Sequence, residues 1–243
     1  MNATDPSSTG VEDEGAGSLH GASALEVSGL RFAYRDGAEA VVRVESLRLE
    51  RGEQALLTGG SGTGKSTLLY LIAGLMDPAP GSGEVRVAGR KIHALHGAAR
   101  DLYRGRTIGM IFQTFNLLKG FSAVENVMMA LMFTEVPRGE HRSRAVALLK
   151  HLGMDRLDAP PEELSVGQQQ RVAVARAVAC DPALVLADEP TASLDPDNAA
   201  AAMDLIQGAC REKGAALLCV SHDPLMSTRF TRVEKLAELR GTE

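Results

Sequence analysis

The run Gln54-Ala55-Leu56-Leu57-Thr58 passes directly into Gly59-Gly60-Ser61-Gly62-Thr63-Gly64-Lys65-Ser66, and an apolar helical pattern follows as far as Gly74. No other segment constrains the fold as strongly. The octet fits the phosphate-binding pattern G-x-x-x-x-G-K-[ST], in which backbone N–H groups cradle phosphates, the lysine supplies positive charge and the hydroxyl reaches Mg²⁺. A glycine-rich surface turn is the plain alternative, since so loose a pattern arises by chance in on the order of one chain in a hundred. Context argues against it: a loop between a buried strand and a buried helix puts the unpaired N–H groups of a helix N-terminus where an anion would sit. Gly59, Gly60, Ser61, Gly62, Thr63, Gly64, Lys65, Ser66 and Thr67 are therefore the expected phosphate-binding set, with Ser66 also on the metal.

Residues 1–23 are rich in Ser, Gly, Thr, Asp and Glu and hold almost nothing apolar. Such a segment cannot offset its ordering entropy, so a disordered acidic tail is expected there, with one domain over 24–243. Alternating apolar residues predict strands over 24–27 and 40–49, and an edge strand over 83–89. Another short strand is expected over 107–112, ending at Gln113. From about 114 to 163 the pattern turns helical, over 124–133 and 143–152, with Pro137-Arg138-Gly139 as a breaker. This predicts a helical lobe inserted into an α/β core. The core resumes with a helix over 166–180, stopped by Asp181-Pro182, then a strand over 183–187, a helix over 198–212 and a last strand over 215–220. Strands alternating with helices imply a parallel sheet that binds ligands at its strand C-termini.

One of those strand ends and one helix start carry chemistry. The strand 183–187 delivers Asp188, a hard oxygen ligand for Mg²⁺, and Glu189, a base for an attacking water. Ser165 and Gln168 form an S-x-x-Q capping box, which explains the local structure without any ligand. A capped helix start also offers N–H groups and a positive dipole end to a phosphate, and the two readings are compatible.

In order along the chain, the phosphate loop, Gln113, Leu164-Ser165-Val166-Gly167-Gln168, Asp188-Glu189, Ser193-Leu194-Asp195 and His222 resemble the motifs of ATP-binding-cassette (ABC) ATPases. The resemblance runs from about residue 24 to the C-terminus. It implies an α/β fold: a P-loop NTPase (RecA-like) core with an antiparallel β subdomain, an inserted α-helical lobe and a signature helix from 165. It also implies ATP and Mg²⁺ as ligands. Tyr34 matches the aromatic that stacks on adenine, with Phe32 as the alternative. Gln113 matches the glutamine that contacts Mg²⁺ or the attacking water and joins core to lobe. Ser193-Leu194-Asp195 matches the loop that faces the partner's site, and His222 matches the switch histidine near the γ-phosphate. In the family, Ser165, Gly167 and Gln168 would bind ATP held by a second subunit, so a homodimer is expected. One position departs from the L-S-G-G-Q pattern, because Val166 replaces its first glycine. A first helical turn has negative φ and tolerates a side chain, so activity is expected to survive.

The longest apolar run, over 68–76, is interrupted by Gly74 and falls short of the roughly 20 residues a membrane helix needs. The N-terminus lacks the basic-then-apolar pattern of a signal peptide. A net charge of −5 gives no footprint for nucleic acid. The basic residues Arg86, Arg90, Lys91, Arg100, Arg104 and Arg106 read as a solvated face or, less simply, a contact for an acidic partner. Cys180, Cys210 and Cys219 read as buried free thiols in a reducing compartment. The stretches 108–118 and 165–171 are most similar to the group that contains LolD, MacB and FtsE. That similarity implies an ATPase that powers a separate integral membrane permease of FtsX/MacB type, in lipoprotein release, export or mechanotransmission. It would be cytoplasmic, held peripherally on the inner face of the membrane through its permease. The alternatives are a regulatory ABC ATPase without a transport role and one that acts on nucleic acid.

Overall fold

Alternation along β3 (Gln54–Thr58) explains the layering: Leu56 points into one core, while Ala55 and Leu57 point into another. The computed structural model describes residues 22–35, 37–192 and 194–241. Among these, β3 lies in a five-stranded sheet with β6 (Ile108–Ile111), β7 (Leu184–Asp188), β8 (Ala216–Ser221) and β9 (Arg232–Lys235), in the order β6-β7-β8-β3-β9. Every neighbouring pair is parallel. One face packs on α1 (Lys65–Ile72) and an antiparallel sheet of order β2-β1-β4-β5, made of β1 (Leu25–Phe32), β2 (Val42–Leu49), β4 (Glu84–Val87) and β5 (Arg90–Lys91). The opposite face packs on α5 (Val166–Val178) and α6 (Pro196–Lys213), and α3 (Ala123–Leu131) and α4 (His141–His151) pack in turn on α5. Between β6 and α5 the described chain forms only helices and turns.

The structure corrects the sequence reading at four points. Most of the tail falls outside the described residues, but Ser23 is buried at 2% exposure and donates to Glu26 Oε1 at 2.7 Å. The chain is already tied to the sheet there, because Ala24 O accepts from Ala88 N at 3.1 Å. Next, β4 is not an edge. A turn with positive φ at Ala88 and Gly89 folds the chain back, so that β5 pairs outside it.

A helix over Gly97–Thr107, α2, has no buried residue and two glycines, so it carries no apolar stripe to read. Its Tyr103 hydroxyl ties it to β4 by donating to Val87 O at 2.6 Å. Last, β8 is not the final strand. Arg232, Glu234 and Lys235 make β9 a charged edge, as an unpaired strand margin favours. Arg232 bonds Glu53 and Glu234 at 2.7 and 2.8 Å.

The basic residues around β4 and α2 are answered within the chain. Arg86 and Lys91 pair with Glu84, Arg100 with Asp77, Arg104 with Asp101 at 2.7 Å and Arg106 with Glu135; Arg90 lies over the Tyr103 ring. All three cysteines are free thiols. Burial pushes Cys180 up to about 11 and Cys210 up to about 12, and raises Cys219 further. Among the described residues no helix is long and apolar enough to cross a membrane.

Gly109 lets β6 and α5 meet backbone to backbone: a Cβ there would lie 2.1 Å from Ala177 O. Gly109→Ala is therefore expected to cost about 3 kcal/mol, the upper end of overpacking losses. Urea unfolding should show a lower midpoint with an unchanged slope.

Candidate active site

The parallel register brings the C-terminal ends of β3, β7 and β8 to one edge, with Thr58 opposite Ser221 and Asp188 opposite Val220. The glycine loop leaves β3 there. Gly64, at φ +99°, caps α1, and a Cβ on it would meet Val41 O at 2.7 Å. No side chain accepts from the first N–H groups of α1, so they remain available to an anion. Lys65 is buried and donates through Nζ to Gly59 O and Gly60 O at 2.8 and 2.9 Å. Those carbonyls hold the ammonium inside the ring formed by residues 59–65. Thr63 Oγ1 closes the same ring by donating to Gly60 O at 2.9 Å.

One turn into α1, Thr67 Oγ1 shares a hydrogen bond of 2.8 Å with the Tyr34 hydroxyl. The Tyr34 ring stands 63% exposed above that turn, with Phe32 edge-on at 5.1 Å. A flat exposed ring beside a phosphate loop can stack a base.

Ser66, on α1, and Asp188 come together although β8 lies between β7 and β3: Ser66 Oγ donates to Asp188 Oδ1 at 2.9 Å. Burial, followed by the charge of Glu189, holds the Asp188 carboxyl above its usual value, against the Ser66 hydrogen bond and Lys65. Glu189 itself sits at φ +47°, fixed by its N–H to Val220 O at 3.0 Å. Its Oε1 meets His222 Nδ1 at 2.7 Å. Buried Ser221 accepts from Asp223 N at 3.1 Å and sets the turn that carries His222. Gln113 lies two residues past the end of β6, after Phe112, and is exposed.

A second cluster lies at the start of α5. Ser165 Oγ accepts from Gln168 N at 3.3 Å, and Gln168 Oε1 accepts from Ser165 N at 3.0 Å, which completes the capping box. Val166, 50% exposed, opens the helix, and nothing lies within 4 Å of where a Gly167 Cβ would be. Asp195 caps α6 by accepting from Asn198 N at 3.1 Å; Ser193 lies outside the described residues.

A family model described as ABC transporter matches residues 42–192. The chain belongs to this family. It is an ABC ATPase subunit, and its relatives include the lipoprotein-releasing system ATP-binding protein LolD. LolD of Chromohalobacter salexigens is 40% identical, over 90% of this chain and 93% of its own. LolD of Pseudomonas fluorescens is 43% identical, over 88% and 95%. Among solved structures, the dimeric ATP-binding cassette MJ0796, in a post-hydrolysis state bound to ADP and Pi, superposes with a TM-score of 0.73 at 33% identity. That match covers 87% of this chain and 93% of the other.

Within the cassette, the hydroxyl of Ser66 and the carboxylate of Asp188 are a donor pair suited to a hard cation that takes its remaining ligands from phosphates and water. No cluster of three or more His, Cys, Asp or Glu among the described residues could hold a metal by itself. The motif reading of the sequence assigned Thr67 to phosphate alone and passed over Ser221. Thr67 tethers Tyr34, and Ser221 orients His222. Ser221 was legible as a hydroxyl closing an apolar strand; the Thr67 contact spans 33 residues and left no local signal.

The raised Asp188 carboxyl has a stability consequence. Its burden is absent below the ordinary value of 3.8 and sets in as pH rises from there through the folded-state value. Asp188→Asn should therefore raise the melting temperature of the nucleotide-free cassette by a few degrees at pH 8, with the gain shrinking toward pH 4. The same variant should lose the tightening of ATP binding by Mg²⁺, read by titration calorimetry.

Proposed function

We propose that this cassette binds and hydrolyses Mg²⁺-ATP as half of a closing homodimer, and that the pair drives a separate membrane permease of FtsX/MacB type. On this reading it works at the inner face of the cell membrane, in lipoprotein release or a related export. One observation carries the proposal: Ser165, Val166 and Gly167 are exposed at the N-terminal end of a 13-residue helix. That positive end suits a phosphate arriving on another chain. The dimeric state of MJ0796 and the names of the LolD relatives support the same assembly.

The roles follow from the chemistry of each group. Tyr34 offers its face to adenine. Lys65 exchanges the carbonyls of Gly59 and Gly60 for the β- and γ-phosphates, while the N–H groups of residues 60–66 surround them. Ser66 and Asp188, with Gln113, would hold Mg²⁺, which when bound neutralises charge on the transferring phosphoryl group. Gln113 orients the attacking water. Glu189 accepts its proton, and His222 fixes that carboxylate and donates toward the γ-phosphate. Asp195 faces the second cassette, whose Ser165, Gly167 and Gln168 complete the pocket. Positioning and electrostatics supply nearly all the rate enhancement in phosphoryl transfer. The exposed apolar side chains of Leu118, Phe121, Met129 and Met132 suit a permease helix that receives the motion.

Glu189→Gln should lower ATP turnover at least about 100-fold, the scale of a lost general base, while leaving ATP bound. Light scattering should then show ATP-dependent dimers of this variant. A variant that binds ATP yet stays monomeric would remove the homodimer and point to a different partner cassette.

A further inference from the structure

Phe115 and Asn116, two and three residues past Gln113, both lie in the left-handed backbone region, at φ +59° and +47°. Asparagine tolerates that region; a bulky phenylalanine does not. Consecutive residues of this kind persist only where their surroundings hold them.

Arg176 holds them. From the last turn of α5 its Nη2 donates to Phe115 O and its Nη1 to Asn116 O, each at 2.7 Å. A planar fork suits two successive carbonyls in a way an ammonium cannot. The guanidinium is part-buried, burial lowers its pKa, and no carboxylate among the described residues raises it back. The two carbonyls are thus the groups that compensate a charge withdrawn from water.

The same turn is folded tightly on its other side. Phe115 N donates to Phe112 O at 3.0 Å and Asn116 N to Thr114 O at 2.7 Å, so Gln113 sits inside a turn whose far end is gripped by α5. Asn126 then fixes the chain beyond. Fully buried on α3, it accepts from Leu118 N at 2.7 Å and donates to Leu118 O, Phe121 O and Ser122 O at 3.1–3.2 Å.

We infer that Arg176 is a positioning residue for hydrolysis, clamping the turn that carries Gln113 to the signature helix so that the two move as one body. Asn126 extends that body to α3. The inference rests on the role proposed above for Gln113 and adds how that side chain is held and what moves with it. Without the fork, Phe115 is free to leave the left-handed region and Gln113 loses its register. Nucleotide binding through Tyr34 and residues 59–67 is untouched, since none of them contacts the clamp.

The test is a double-mutant cycle on the full chain: wild type, Gln113→Ala, Arg176→Ala and the double variant, with Arg176→Lys alongside. Steady-state ATPase rates, ATP affinity and melting temperature are measured for each. Arg176→Ala should lower kcat about tenfold while the KM for ATP stays within about twofold. The double variant should be no slower than the slower single, because both remove the same positioning. Arg176→Lys should fall between wild type and alanine; if the alanine variant melts below the assay temperature, the lysine variant carries the cycle.

Two results overturn the inference. If Gln113→Ala slows turnover and the two losses multiply, Arg176 acts independently: the Gln113 reading stands and the clamp fails. If Gln113→Ala leaves kcat unchanged, the Gln113 reading fails and the clamp falls with it.

Discussion

The in-phase parallel pairing of β3, β7 and β8 is the constraint on which the candidate site depends. Thr58 and Ser221 finish their strands at one level and Asp188 one residue short of it, so the glycine loop, the Asp188–Glu189 pair and His222 leave the sheet side by side. A one-residue slip of β7 would turn Asp188 to the opposite face and break its hydrogen bond to Ser66. Both faces of these strands are buried, so the register is held by cores on two sides at once. The site inherits its precision from the sheet rather than from the loops. That accounts for a buried carboxylate and a left-handed glutamate being kept at the sheet edge.

Where local chemistry dictates structure, the sequence was legible. Glycine at Gly64, with its φ of +99° and a carbonyl crowding its missing Cβ, is required by a turn that no other residue makes cheaply. The strand-end carboxylates and the capping box at Ser165 and Gln168 are local signals of the same kind. The opposite cases share one cause. α2 has no fully buried residue, β9 is a charged margin and β5 has two residues, so none leaves a hydrophobic period in the sequence. Arg176 escaped for another reason: its acceptors lie about sixty residues away and are backbone atoms, so no residue type announces them.

The start of α5 shows how one local arrangement serves two ends. Its capping box satisfies Ser165 and Gln168 inside the chain and leaves Val166 and Gly167 facing outward. Val166 occupies the first helical position, where its side chain meets solvent rather than the cap. The substitution of a valine for the family's glycine is therefore accommodated by the helix itself, and any effect it has must be exerted on what approaches from outside.

The ion pairs around β4 and α2 set the reach of that surface. A cation whose counter-charge belongs to the same chain acts at a distance only as a dipole, and its field fades well within the roughly 8 Å over which physiological salt screens a charge. Five of the six basic side chains there pair with four carboxylates, since Arg86 and Lys91 share Glu84, and the sixth lies against a tyrosine ring. The face keeps only a small positive excess, so its pull on a distant polyanion is weak. Whatever meets it is found mainly by collision and fit, at a rate that salt changes only modestly.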